Sequence, residues 1–227
     1  MSLCHKNKKI IIVTAHPDDA EYGMGMRIRK HVEEHDLVSL VVATAGEYKD
    51  CPKGRYQEAE KAIKILGINS HQFLNYKCGE LNKFANQLRK NLEDYFVKNS
   101  PDIVYTIYPL DIHADHNVVS QQAFIAARSV PTLIYFRVAY GVKFSPNLFF
   151  FGDKRLMKTK IKALKCYGQE VARKGALNLK VMQELAQYEY YLYFHHRAIN
   201  NIRQQNNITP RQPLFFEPFS LARGALS

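Results

Sequence analysis

No apolar run in this chain approaches the roughly 18 to 20 residues that a bilayer-crossing helix requires, so a transmembrane segment is not expected. Cysteine is sparse and scattered: Cys4, Cys51, Cys78 and Cys166 stand far apart and form no CxxC pair. That spacing argues against a thiolate zinc site and a disulfide framework, and leaves free, mostly buried thiols as the plain reading. There is no internal repeat and no low-complexity segment. Basic residues do precede an apolar run at 10–13, but the run is too short for a secretory signal. His16-Pro17-Asp18 also stands where a small-residue cleavage site would be needed, so a cytoplasmic location is expected. Acidic residues are in deficit, 21 Asp and Glu against 32 Lys and Arg, which gives a formal charge of +11 and a pI of about 9.4. Such a balance raises nucleic-acid binding, yet the cations are spread over 6–9, 158–165 and 197–211. Lys158, Lys162 and Lys165 sit at helical spacing, as on a solvated face. With no nucleic-acid motif beside them, no nucleic-acid partner is expected. An anionic small substrate explains a basic surface equally well.

What is present is enough apolar material, 46% of 227 residues, to bury a full core in one domain spanning 1–227. Apolar runs at 9–14, 37–44, 71–75 and 103–108 alternate with amphipathic stretches at 25–34, 56–66 and 81–98. This is the pattern of an α/β fold with a mostly parallel sheet and flanking helices. Ala59, Ile63 and Leu66 share one helix face, closed by Gly67. Asn117 is positioned to cap a helix over 118–128. After Pro131 the pattern predicts strands at 132–138 and 147–151, then helices at 154–174 and 179–194. Leu214-Phe215-Phe216, among Pro210, Pro213 and Pro218, reads as a strand or irregular segment covering the sheet.

The chemistry concentrates at two strand ends. Ala15-His16-Pro17-Asp18-Asp19 follows the first strand, and Asp111-Ile112-His113-Ala114-Asp115-His116 follows the fourth. Open α/β sheets keep their ligand sites outside the carboxyl ends of the strands, and His and Asp are donors suited to Zn²⁺. Two side chains from 15–19 reach a single metal if Pro17-Asp18 makes a tight turn, and a histidine at the neighbouring strand end supplies a third. One carboxylate then remains to act as base on metal-bound water, the layout of a metal-assisted hydrolase. Asp18 as a cap of the next helix and Asp115 as a plain surface carboxylate are the alternatives. Arg55 reads as either an exposed partner of Glu58 or Glu47 or as a substrate clamp. His31, His35, His195 and His196 have no partner pattern and read as structural or surface residues. Tyr188 to Tyr193 reads as helix packing or a subunit interface.

His16-Pro17-Asp18-Asp19 with His113-Ala114-Asp115-His116 resembles the LmbE/PIG-L family of zinc-dependent N-deacetylases. The version Ala-His-Pro-Asp-Asp-Ala-Glu-Tyr-Gly-Met-Gly at 15–25 is similar to its bacillithiol-biosynthesis branch. Thr44-Ala45-Gly46-Glu47, Arg55-Tyr56-Gln57-Glu58 with Ile65-Leu66-Gly67-Ile68, Lys162 to Gln169, and Phe216-Glu217-Pro218-Phe219 extend the resemblance along most of the chain. It implies a Rossmann-like fold, with His16, Asp19 and His116 as ligands of Zn²⁺ (or another divalent metal such as Fe²⁺) and Asp18 as general base. It further implies His113 as stabiliser of the oxyanion or proton donor to the leaving amine, and Asp115 as the residue that orients the His113 ring. Arg55, Glu47 and Asp111 fall in the substrate-binding set, and a homotrimer or hexamer is implied. The family's Gly-Gly is here Gly25-Met26, which crowds the backbone beside the site. Its substrate-loop Asp-Gly reads Cys78-Gly79, so the sugar identity does not carry over. The expected activity is removal of an N-acetyl group from an amino sugar or an anionic amino-sugar conjugate. The rivals are an amidase on a larger acylamide or thiol conjugate, and an inactive metal-binding module that binds nucleic acid or anionic lipid.

Overall fold

The computed structural model describes residues 7–47, 54–139, 141–172, 178–193 and 213–224. The readings of Cys4, Cys51, Lys6, His195, His196 and the cations at 197–211 lie outside these residues, as do the side chains of residues 189–193. Seven strands form one sheet in the order β3-β2-β1-β4-β5-β7-β6. In chain order they are β1 Lys9–Thr14, β2 Leu37–Thr44, β3 Ser70–Tyr76, β4 Ile103–Ile107, β5 Thr132–Phe136, β6 Leu148–Gly152 and β7 Phe215–Arg223. The first five are parallel, and β7 runs antiparallel to both β5 and β6. The fold is thus the expected Rossmann-like α/β architecture. Ile10, Ile11 and Ile12 of β1 are fully buried. Each such side chain contributes about 1.5–3 kcal/mol, which holds β1 in the interior of the sheet. From β1 the chain crosses to β2 on one side, while β4 pairs on the other. A crevice therefore opens between the carboxyl ends of β1 and β4, the switch point where such sheets bind ligands.

Several boundaries differ from the sequence expectation, each for a physical reason. Helix α1 spans Asp19–Glu33, six residues longer at its start than the periodicity predicts, because Asp18 turns the chain directly into it. Inside α1, Met24 has φ −146°, ψ 27°, so the helix breaks and leaves backbone donors without helical partners. Glu217 of β7 supplies the missing acceptors, taking the N–H of Met26 at 2.9 Å and of Arg27 at 2.8 Å. The buried Lys160 closes the arrangement at 2.7 Å from Glu217. Gly23 is required nearby, since a Cβ there would lie 2.3 Å from the Phe136 ring. Met26 does not crowd the site as expected; it is buried in a satellite core with Leu156, Met157 and Phe215.

Helix α2 (Tyr56–Leu66) ends as predicted on Gly67 at φ 80°. The stretch at 81–98 opens with a 3₁₀ turn, Leu81–Phe84, before α3, Ala85–Asn99. Helix α4 (Ala114–Ala126) is capped by His113, whose side chain accepts the Asp115 N–H, not by Asn117. Asn117 lies one turn further in and braces the backbone of Asp111 from both sides, at 2.8 and 3.2 Å. The helix predicted at 154–174 is two, α5 (Lys154–Leu164) and α6 (Gly168–Ala172), because Tyr167 turns into the core between them. Helix α7 is Leu179–Tyr193. The tail does not cover the sheet; it enters it as β7. Pro218 sits beyond the end of the β5 pairing, where β7 meets β6 alone.

Glu217→Ala strips Lys160 of its counter-charge and leaves two helix donors unsatisfied in a buried place. Breaking a buried pair in this way costs about 3–5 kcal/mol. Urea unfolding is expected to show a loss of that order; a loss below about 1 kcal/mol would mean that water already serves these groups.

Candidate metal centre and active site

His16 and Asp19 sit on the turn from β1 into α1, and His113, Asp115 and His116 on the first turn of α4, across the crevice. His16 Nδ1 lies 3.1 Å from His116 Nε2. The Asp19 carboxylate is 3.7 Å from His16 Nδ1 and 3.3 Å from His116 Nε2. The outer nitrogens decide the tautomers. His16 Nε2 lies 3.1 Å from Asp115 Oδ2, and His116 Nδ1 lies 3.1 Å from Asp111 Oδ1. The second contact is an ion-pair approach rather than a well-angled hydrogen bond. With a proton on each outer nitrogen, the lone pairs of His16 Nδ1 and His116 Nε2 point at one another beside a carboxylate. Such an arrangement is repulsive unless a proton, as on a doubly protonated His116, or a metal ion lies between them. The donor set, two imidazoles and one carboxylate backed by second carboxylates, therefore fits a divalent metal.

The protonation tendencies express the same demand for positive charge. Burial opposes a charged His116, but the Asp19 carboxylate and the contacts with Asp111 and Asp19 drive its pKa to about 10. Burial likewise pushes Asp19 up, and the charge and hydrogen bond of His116 with the contacts from His16 overcome this and hold it at about 2. Its Oδ2 also accepts the His16 N–H at 2.8 Å.

Asp18 is outside the ligand cluster. It sits at φ 92°, ψ −24° and its side chain makes no cap hydrogen bond, so the cap alternative does not describe it. Burial lifts its carboxyl to about 8 even though Arg55 opposes the shift. Arg55 Nη1 donates to Asp18 Oδ2 at 2.8 Å, and Glu170 lies 3.7 Å away. Arg55 is thus buried against Asp18 rather than exposed against Glu58 or Glu47. It reaches Asp18 only because Gly46, at φ 67°, has no Cβ; one there would lie 2.7 Å from the guanidinium.

The His113 ring stacks on His116 at 4.7 Å and meets His16 edge-on at 4.6 Å. Burial, then the neighbouring histidines, keep its pKa below the ordinary value. Its Nδ1 accepts the Asp115 backbone N–H at 3.2 Å, so the neutral ring carries its proton on Nε2. The Asp115 carboxylate does not orient His113; it serves His16 and accepts the N–H of Gly79 at 2.6 Å and of Leu81 at 3.3 Å. Asp115 is buried, not a surface carboxylate. Asp111 also departs from the substrate set: it accepts the His113 N–H at 2.8 Å and backs His116. Glu47 is half-buried, and its charge, after burial and Asp115, helps push the Cys78 thiol up to about 12. Cys78 therefore borders the cluster, within 4.8 Å of the donor atoms of His16 and Asp115.

Sequence reasoning missed Glu21 and Tyr167 as parts of this region. Tyr167 donates to Glu21 at 3.0 Å, and the Arg55 guanidinium lies 5.8 Å from the Tyr167 ring centroid. The break in helical pattern at Tyr167-Gly168 was the available signal. Burial raises Glu21 from 4.5 to about 7. A carboxyl whose folded pKa is raised stabilises the fold while protonated, below 4.5, and loses that contribution as pH rises towards 7. Glu21→Gln keeps the acceptor for Tyr167 without the charge. It is expected to unfold later than the parent by on the order of 3 kcal/mol at pH 8, with the gap closing near pH 4. An unchanged gap across that range would contradict the assignment.

A family model described as GlcNAc-PI de-N-acetylase, PIG-L, matches residues 11–127. The chain is 30% identical over 172 residues to the uncharacterized deacetylase YaiS of Escherichia coli (strain K12), covering 73% of this chain and 93% of that one. This chain belongs to the PIG-L family. Its fold is similar to that of an N,N′-diacetylchitobiose deacetylase from Pyrococcus horikoshii, with TM-score 0.71 at 21% identity over 96% of this chain and 84% of that one. It is equally similar to GalB, the 4-carboxy-2-hydroxymuconate hydratase from Pseudomonas putida KT2440, with TM-score 0.73 at 18% identity over 97% and 98%. One fold thus carries different chemistries, and the reaction must be argued from the site.

Proposed function

We propose that this chain is a divalent-metal-dependent hydrolase, with Zn²⁺ the expected ion, that removes the N-acetyl group from an amino sugar or its conjugate. The observation that carries the reading is the facing pair of His16 Nδ1 and His116 Nε2 beside Asp19, with Asp18 held close by but outside the cluster. The deacetylases among its relatives point to the same class of reaction. His16, Asp19 and His116 would hold a divalent ion, which when bound would acidify a water and polarise the amide carbonyl. Asp18 accepts the proton of the attacking water, and Arg55 fixes the direction of its carboxylate. His113 presents Nε2–H towards the crevice, where it stabilises the oxyanion or gives a proton to the departing amine. Asp115 and Asp111 hold the rings of His16 and His116 in the tautomers that leave the inward nitrogens free.

At the substrate end, Cys78 offers a weakly hydrogen-bonding thiol where the family pattern has a carboxylate. Charge-assisted hydrogen bonds are roughly twice as strong as neutral ones, so a neutral sugar loses an anchor. A substrate carrying phosphate or carboxylate recovers binding from the basic surface. The test is acetate release from N-acetylglucosamine and from nucleotide-linked N-acetyl sugars at low and high salt. The anionic conjugate is expected to give the higher kcat/KM, with an advantage that shrinks as salt rises. Equal turnover without salt dependence removes the anionic preference, and no acetate from any member removes the reaction.

A further inference from the structure

The positive charge of this chain is not spread evenly. Residues 154–212 hold twelve Lys and Arg against three Glu, nine of the eleven net positive charges. Helix α5, with the residue that closes it, carries Lys154, Arg155, Lys158, Lys160, Lys162 and Lys165 and not one carboxylate. Two of these cations are neutralised within the fold: Arg155 pairs with Glu33 and Lys160 with Glu217. The other four are exposed and, among the described residues, none has a carboxylate partner. Their spacing of four, four and three places them in one row about 16 Å long. Like charges at i,i+4 destabilise a helix, and no carboxylate among the described residues offsets that cost.

Beside the row runs a groove of about 330 Å³ lined by the four lysines and by Ile161, which is half-buried, over the buried Met157 and Phe215. This combination is amphipathic. A nucleic-acid backbone would engage the rim and leave the apolar lining wet. An anionic phospholipid engages both, its phosphate on the ammonium groups and its glycerol and first methylenes on Ile161 and the lysine stems. The rim is made of lysines, point charges without the fork that reads a fixed partner geometry, which suits a fluid surface of headgroups. We propose that the outer face of α5 docks the protein on a membrane surface rich in anionic phospholipid. The row ends two residues before Tyr167, whose ring lies beneath Arg55, so the docked face adjoins the wall of the candidate site without being part of it.

Full-length protein should co-sediment with phosphatidylcholine vesicles that contain phosphatidylglycerol, not with phosphatidylcholine alone, and the binding should weaken with salt. Each lysine near an anionic surface contributes roughly fivefold to partitioning. Replacing Lys154, Lys158, Lys162 and Lys165 with Gln is therefore expected to lower the partition coefficient by a few hundredfold. The melting temperature and metal content should not change, because these side chains are exposed. A double variant, Lys158→Gln with Lys162→Gln, should fall between the two. Absence of binding to phosphatidylglycerol vesicles at low salt, or undiminished binding by the quadruple variant, would overturn the proposal. Tighter binding of duplex DNA than of vesicles, lost in the same variant, would overturn it in favour of a nucleic-acid surface.

Discussion

Asp18→Asn is expected to retain one metal per chain and to lose roughly a hundredfold or more of kcat, the usual scale of general acid–base catalysis. The substitution isolates the proton-accepting role. Asp18 sits in the left-handed region at φ 92°, which Asn tolerates well among side chains, so the turn into α1 is preserved. The Asn carbonyl oxygen can still accept from Arg55, which holds Asp18 at 2.8 Å. What disappears is a group able to take a proton from water near neutral pH. Steady-state kinetics, paired with metal content and melting temperature, reads the three effects separately. Activity that survives while stability falls would make Asp18 a structural turn residue.

The second large effect concerns the ligands. His116→Ala removes one of two imidazole donors and also the partner that holds Asp19 at its low pKa. His16→Ala removes the other donor and frees Asp115, which is buried with His16 Nε2 as one of its partners. Elemental analysis after dialysis is expected to fall from one equivalent to near zero in both variants, with activity falling in step. Asp111→Asn should act more mildly. It keeps the loop but weakens the orientation of His116, and such supporting residues typically cost 10–100-fold in metal affinity. Full metal retention in both histidine variants would remove this site.

Much of this was legible in local sequence. His16, Asp18 and Asp19 share one turn, and their placement follows from a buried strand ending at Thr14. The second cluster follows β4 in the same way, so the crevice could be read from two strand ends. What could not be read depends on contacts between distant residues. The Asp115 carboxylate serves His16, 99 positions away, and only its backbone N–H reaches His113, because the first turn of α4 aims the carboxylate across the crevice. In sequence Arg55 reads equally as an exposed ion-pair partner or a substrate clamp; its place against Asp18 depends on the space left by Gly46. The start of α1 was hidden by Gly23 and Gly25, poor helix formers that are there for close packing. Its break at Met24 is supported by Glu217, nearly two hundred residues on. The same long-range contact explains why the Phe-Glu-Pro-Phe stretch belongs inside the sheet and not over it.

Amide hydrolysis by this chain is expected to require one divalent ion, held by His16, Asp19 and His116. Titrating Zn²⁺ into chelator-stripped protein while following acetate release from an N-acetylated sugar tests it in a single measurement. No turnover is expected at zero metal, followed by a rise that breaks at one equivalent per chain. Turnover by the stripped protein equal to that of the loaded protein would contradict it.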